Sequence, residues 1–138
     1  MNQFVKQSKN SGEGLMWCTS FNSWKVGIKN HKVENSLKNF ELLERHFETD
    51  EVFILLSGRC FLIVGDSEQL ESQEMEVIDM EPNSIYTMKQ GVWHNMVTFD
   101  DTKLVLVEEK KTSLENSEVK PLPDIKRERI KEHINSIL

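Results

Sequence analysis

Two short segments of the sequence place imidazole and carboxylate side chains inside otherwise apolar, strand-like runs. The first segment contains Glu44, His46 and Glu51, and the second contains His94. Side chains alternate between the two faces of an extended strand, so Glu44 and His46 share one face. If the two segments face each other across a β structure, the four side chains form one cluster. Such groups are costly to bury without partners, so the cluster requires a chemical explanation.

Two chemical states would stabilise this cluster. Two carboxylates in a poorly solvated space cannot both stay ionised unless a cation or hydrogen-bond donors compensate them. Arg45 is unsuited to this role because alternation directs it to the opposite face. Either a metal ion binds there, or one acid carries a proton with a raised pKa. Imidazole and carboxylate ligands without a thiolate suit Mn, Fe, Ni, Co or Zn, and the sequence does not choose among these ions.

The elements that must position the cluster are short strands. Apolar or alternating runs separated by turn residues predict nine of them. The candidate strands cover residues 15–21, 24–29, 37–46, 51–56, 59–64, 75–80, 85–88, 93–99 and 103–109. Gly58 supplies the turn after the fourth strand, and Gly91 supplies the turn just before His94. Many short strands without intervening helices predict an antiparallel sandwich or barrel.

The end of the chain has a different pattern. The prolines of residues 121–123 end the sheet, and Asp124 is a candidate N-cap residue. Four isoleucines form an apolar stripe with helical spacing, which predicts a helix over about residues 124–137. These are Ile125, Ile130, Ile134 and Ile137. The stripe could cover the mouth of a barrel or a partner subunit.

The spacing of the first segment resembles the first sequence motif of the cupin superfamily. That motif has two histidines flanking one residue, then a glutamate, and then a glycine six residues further on. His46 stands at the second histidine, Glu51 at the glutamate and Gly58 at the glycine. Glu44 occupies the place of the first histidine.

The second segment resembles the second cupin motif in part. Gly91 and His94 match a glycine and a histidine of that motif. The motif's other glycine, its proline and its asparagine are replaced by Asn83, Lys89 and Thr98. The resemblance to cupins covers residues 24–110, and it implies an all-β, antiparallel jelly-roll β-barrel. To this fold we add an N-terminal strand extension and the C-terminal helix.

The resemblance also implies roles for individual residues. His46, Glu51 and His94 match positions that bind a divalent transition metal in many cupins, and Glu44 is a candidate fourth ligand. We expect a small-molecule-binding cupin. One hypothesis is a divalent-metal-dependent enzyme that acts on a small polar metabolite such as a sugar or a carboxylate. Glu44 or Tyr86 would be the catalytic proton carrier. The alternative hypothesis is a non-catalytic, metal-free binding or sensing module.

Further roles and partners can be expected at the edges of the site. Tyr86 is a candidate substrate-binding residue as well, and Lys89 could meet an anionic substrate at the mouth. We expect a homodimer, because edge strands and the extension over residues 15–29 offer surfaces for pairing. A small-molecule ligand is the other expected partner.

Composition narrows the function classes. The length of 138 residues predicts a single domain. Residues 39–119 hold 18 acidic and 6 basic side chains, which disfavours nucleic acid as a partner. No 18-residue apolar stretch and no signal-peptide pattern occurs, so we expect no membrane partner and a cytoplasmic location. Cys60 is expected to be a buried structural thiol.

Overall fold

The computed structural model describes residues 3–65 and 75–138. Within these two ranges, the chain forms ten β-strands, two short 3-10 helices and one α-helix. The strands are β1 (Leu15–Phe21), β2 (Trp24–Asn30), β3 (Leu42–His46), β4 (Glu51–Ser57), β5 (Cys60–Gly65), β6 (Glu76–Asp79), β7 (Ile85–Met88), β8 (Trp93–Thr98), β9 (Lys103–Glu109) and β10 (Ser117–Pro121). The α-helix is α1 (Asp124–Ile137), and the 3-10 helices are Val33–Asn35 and Leu114–Asn116.

The strands are arranged in two antiparallel sheets. The first sheet has the order β1-β2-β9-β4-β7, and the second has the order β10-β3-β8-β5-β6. This confirms the predicted jelly roll, in which strands that are distant in sequence become neighbours. The described strands pair into two sheets and not into one closed hydrogen-bonded ring. The N-terminal extension is present as β1, which pairs with β2 at the edge of the first sheet.

The core between the sheets follows the strand period of two. In β4, Phe53 and Leu55 point inward and are almost fully buried, and Leu104 and Leu106 do the same in β9. The second sheet contributes the buried residues Cys60, Leu62 and Met96. The next inward-facing residues along these two strands are Glu51 in β4 and Glu108 in β9, and both are buried. The interior of the jelly roll therefore becomes polar at one end.

A second core lies on the outer face of the second sheet. Ile130 and Ile134 of α1 pack there against Leu43, Trp93 and Val97. The expected location at a barrel mouth is therefore wrong, because Ile130 and Ile134 cover a sheet face. The outward-facing residues of the second sheet are themselves apolar and large enough to require a cover. Contact of the helix with a partner subunit stays a prediction.

Two details at the ends of elements also differ from expectation. Ile125 is 63% exposed, and so does not contribute to the buried stripe. Asp124 is the first helical residue, and the cap position belongs to Pro123 without a side-chain cap bond. The Asp124 carboxylate instead accepts a hydrogen bond from Arg127 at 2.9 Å.

The predicted and observed strands differ most at two places, one wrong boundary and one missed strand. The strand expected over residues 37–46 begins at Leu42, because Ser36 accepts hydrogen bonds from the backbone of Asn39 and Phe40 and holds a turn there. Strand β10 was missed, because its mixture of charged residues with a proline lacks an apolar run. It pairs with β3 at the edge of the second sheet.

The turn residues and the buried thiol behave as expected. Gly58 and Gly91 have positive φ angles of 73° and 77°. Asn83, at the place of a motif glycine, also has a positive φ, of 65°, a conformation that asparagine tolerates better than most residues. Cys60 is fully buried, and burial raises the pKa of its thiol to about 12. Among the described residues, no helix is long and apolar enough to span a membrane.

Candidate metal centre

The four residues singled out in the sequence converge at the polar end of the interior. Glu44 and His46 come from β3, Glu51 from the start of β4 and His94 from β8. One ligand atom from each residue lies within 4.8 Å of the others. Glu44 and His94 are directly paired across β3 and β8, so the register of one sheet brings the two motifs together.

Three buried atoms at the centre of the cluster face one another. Glu51 Oε1 lies 3.4 Å from His46 Nε2 and 3.3 Å from His94 Nε2. None of these three atoms has a hydrogen-bond partner of acceptable geometry among the described residues. Buried polar atoms without partners are rare in folded proteins and call for an explanation such as a bound ion. The donor set of two imidazoles and a carboxylate fits a divalent transition metal.

The other nitrogen of each imidazole is held in place. His94 Nδ1–H donates to the carbonyl oxygen of Val92 at 3.0 Å, which leaves the Nε2 lone pair of the neutral ring free. His46 Nδ1 lies 2.7 Å from the Ser117 hydroxyl oxygen. Such contacts orient metal-binding histidines and select their tautomers. The structure thus supplies both rings with the support that metal ligands have.

Glu44 differs from the other three residues in burial and distance. Its side chain is 49% exposed, whereas those of Glu51 and His94 are 5% and 3% exposed. Glu44 Oε1 lies 3.7 Å from His94 Nε2 and 3.9 Å from His46 Nε2. Glu44 can therefore complete the cluster from the solvent side.

The charges of the cluster influence one another. Burial alone would raise the pKa of Glu51, but the imidazoles of His46 and His94 outweigh burial and hold it below its usual range. Burial likewise lowers the pKa of His94, and the Glu51 carboxylate more than reverses this, so the net shift is upward. The pKa of His46 is raised for the same reason. Protons and a metal ion therefore compete for the same atoms.

Sequence reasoning missed a third carboxylate beside the cluster. Glu108 in β9 is 8% exposed, and its Oε2 lies 3.9 Å from His46 Nε2. Burial and the neighbouring Glu51 raise the pKa of Glu108. The Lys25 ammonium lies 3.4 Å from Glu108 Oε1 and partly neutralises it. The inward alternation from Leu104 to Glu108 could have revealed this residue.

Two lysines of β2 also face the site, and neither was a candidate from the sequence. Lys25 and Lys29 are separated by Gly27 on the inward face, where a side chain would collide with Trp17 and Leu15. Lys29 is 9% exposed. Burial and the nearby Lys32 lower the pKa of Lys29 to about 8.

These residues surround a cavity of about 270 Å³. The cluster and Glu108 form its polar wall, and Trp17, Phe53 and Leu106 form an apolar wall. Residues before and within the second 3-10 helix, among them Leu114, line its rim. A cavity of this size suits a small metabolite.

The two remaining candidates lie outside the residues that line this cavity. The Tyr86 hydroxyl accepts a hydrogen bond from the backbone N–H of Glu81 at 2.8 Å, and its ring packs against the core between the sheets. Lys89 is 73% exposed, and its ammonium lies 3.6 Å from Asp50 Oδ2. Their substrate-binding and catalytic roles stay predictions, and the cluster's own residues are better placed.

The two-sheet jelly roll and the inward-facing His and Glu residues define a cupin. A model of the ureidoglycolate lyase family matches residues 4–127, and the chain belongs to this family. No curated protein matches the chain.

Solved cupin structures share the fold at low sequence identity. A cupin-2 domain protein from Shewanella frigidimarina is 19% identical with a TM-score of 0.50, over 74% of this chain and 85% of that one. A cupin from Methanocaldococcus jannaschii is 10% identical with a TM-score of 0.52, over 79% and 92%. Streptomyces Pac13 with uridine is 12% identical with a TM-score of 0.58, over 88% and 93%. At these identities the likeness concerns the fold alone.

Proposed function

We propose that this protein is a divalent-metal-dependent enzyme that acts on a small polar metabolite such as a sugar or a carboxylate. The observation that carries the proposal is the convergence on one point of three buried atoms that lack a hydrogen bond of acceptable geometry. His46, Glu51 and His94 would hold the ion, with Glu44 as the fourth ligand. The adjacent cavity of about 270 Å³ would take the metabolite.

The chemistry follows from the positions of these residues. A bound divalent ion would supply Lewis-acid activation of a substrate oxygen. Glu44 faces both the cluster and the cavity, so its carboxylate is the candidate that accepts or donates a proton. The family's name makes ureidoglycolate the first substrate to test, and a lyase would split it into glyoxylate and urea.

The alternative of a metal-free binding module has one observation in its favour. The Glu51 carboxylate lies between two imidazoles whose pKa values are raised. A protonated imidazole could therefore compensate the carboxylate without an ion. Metal binding by the purified protein separates the two proposals.

The first test is thermal unfolding with added Zn²⁺, Ni²⁺, Mn²⁺, Co²⁺ or Fe²⁺. An ion that binds only the folded state, at about a thousand times its dissociation constant, adds about 4 kcal/mol of stability. We expect the melting temperature to rise by roughly 10 °C with at least one ion, and a chelator to reverse the rise.

A matched pair of histidine variants controls this test. His94→Ala should abolish the shift, whereas His133→Ala, on the exposed side of α1, should leave it unchanged. If no divalent ion changes the melting temperature of the wild type, the metalloenzyme proposal is wrong and the binding module is the better reading.

Activity is tested by urea release from ureidoglycolate, with the stabilising ion at a concentration that saturates both the wild type and the variant. Glu44→Gln should lower the rate by at least about a hundredfold, in the range expected for loss of a general acid or base. An unchanged rate would remove Glu44 from the catalytic role.

We also propose a cytoplasmic location and a homodimer.

A further inference from the structure

Two cavities meet beside the metal cluster. The inner one is the cavity of about 270 Å³ that contains the cluster, and an outer one of about 540 Å³ lies between the first 3-10 helix and β3. Lys29, Glu44 and Asn95 line both cavities. These three side chains therefore form the boundary between the cluster and the outer cavity.

Of the four cluster residues, Glu44 alone reaches the outer cavity. Its side chain is 49% exposed, and its carboxylate is farther from both imidazoles than that of Glu51. His46, Glu51 and His94 are buried and line the inner cavity but not the outer one. Glu44 is therefore the residue of the four that can move without disturbing the core.

Lys29 carries a buried charge that lacks a close partner. Among residues 3–65 and 75–138, its ammonium forms no ion pair, in contrast to Lys25, which is paired with Glu108. Lys32 adds electrostatic repulsion, while Glu44 is the largest source of attraction. An unpaired buried charge is unfavourable, so an anion that moved next to Lys29 would be stabilised.

We propose that Glu44 and Lys29 act as an exchangeable pair. The Glu44 carboxylate alternates between the metal cluster and the Lys29 ammonium, and the outer cavity admits the molecule that replaces it at the cluster. This inference rests on the proposed function, because it requires a bound ion. It gives a reason for a glutamate at the place of the usual cupin histidine, since a carboxylate is attracted by both cations and a neutral imidazole is attracted far less by the ammonium.

The test is the dissociation constant of Co²⁺, measured by calorimetry for four proteins. They are the wild type, Lys29→Met, Glu44→Gln and the double variant. Without Lys29, the carboxylate stays with the ion, so Lys29→Met should bind Co²⁺ about tenfold more tightly, while Glu44→Gln should bind at least about tenfold more weakly. In the Glu44→Gln background, Lys29→Met should change the affinity by less than about threefold.

Lys32→Met is the matched control, because Lys32 lines only the outer cavity. It should change Co²⁺ affinity by less than about threefold. If Lys32→Met and Lys29→Met have equal effects, or if Lys29→Met acts equally with and without the Glu44 carboxylate, the lysine is only a remote charge and the pair is refuted.

The outcomes also separate the pair from the proposed function. A wild type that binds no Co²⁺ or other divalent ion overturns both. A wild type that binds Co²⁺ without coupling between positions 29 and 44 overturns the pair alone. Circular dichroism checks the fold of each variant, and Lys29→Gln replaces Lys29→Met in the cycle if the latter does not fold.

Discussion

The three atoms at the centre of the cluster are turned toward one another by contacts on the far side of their side chains. For His94 that contact is the Val92 carbonyl, and for His46 it is the Ser117 hydroxyl. Ser117 begins β10, a strand that the sequence pattern did not reveal. Its hydroxyl is therefore a support that only the fold supplies.

Removing that hydroxyl should weaken metal binding without removing a ligand. Ser117→Ala leaves His46 Nδ1 without its partner, so the ring orientation and tautomer are less well defined. We expect the dissociation constant of the bound ion to rise about 10- to 100-fold, as for other second-layer contacts. Calorimetry measures this, with Ser20→Ala on the exposed part of β1 as the control. Equal affinities for the two variants would contradict the role of Ser117.

Lys29 should make the stability of the metal-free protein depend on pH. Its folded pKa of about 8 lies below the ordinary value of 10.5, so the unfolded chain binds more protons between these values. Stability from this group therefore rises as pH increases from about 8 to 10.5. Lys29→Met removes the unfavourable free energy of burying the charged ammonium, and should raise the free energy of unfolding at pH 7 by roughly 3 kcal/mol.

Urea denaturation at pH 7 and above pH 10.5 measures this difference. The difference in free energy of unfolding between Lys29→Met and the wild type should shrink toward zero at the higher pH, because the lysine is then neutral in both the folded and the unfolded chain. Lys38→Met, at an exposed position, should have little effect at either pH. An advantage that persists unchanged at high pH would show that packing and not charge is responsible.

At the scale of elements, two turns that join the strands contain motif glycines whose replacement should affect stability differently. Gly58 and Gly91 both have positive φ angles, and both belong to the cupin-like motifs. Their surroundings differ. A Cβ at Gly58 would overlap the backbone carbonyl of Asp101, whereas no heavy atom of the described residues lies within 4 Å of a Cβ at Gly91.

The two glycines should therefore respond differently to alanine. Gly91→Ala should cost about 1–2 kcal/mol of folding free energy, from the unfavourable φ alone. Gly58→Ala should cost at least about 2 kcal/mol more, because the backbone of two loops must shift as well. Urea denaturation of both variants measures the difference, and equal losses of stability would contradict the clash.

At the scale of the molecule, the two sheets have different outer faces. The outer face of the second sheet is buried by α1, and Trp93 there is fully buried. The outer face of the first sheet carries Val26, Ile54 and Val105, which are only partly buried, and Ile85, which is 71% exposed. Exposed apolar patches of this kind are typical of protein interfaces.

We therefore expect the homodimer to form through the first sheet. Light scattering should give about twice the monomer mass of 16.1 kDa. Ile85→Glu should shift the protein toward the monomer, because it buries a charge in the interface. Ile125→Glu, on the exposed side of α1, should leave the dimer intact. A wild type that is monomeric at high concentration would refute the dimer.

The sequence by itself determined nine of the ten described strands, the turns at Gly58 and Gly91, and the four residues that meet in the cluster. Alternation placed Glu44 and His46 on one face, and Gly58 and Gly91 marked turns that the structure confirms. These inferences succeeded because they depend on local periodicity and on backbone conformations that few residues adopt.

Only the tertiary structure decided what surrounds the four residues. Lys29 in β2 and Glu108 in β9 enter the site because the jelly roll pairs β2 with β9 and β9 with β4, and strand order is not encoded in local periodicity. Ser117 contacts His46 from β10, a strand with no apolar pattern. Helix α1 packs on an apolar sheet face. Alternation along β9 can place Glu108 on the inward face, but long-range pairing and burial decide that Glu108, Lys29 and Ser117 meet the cluster.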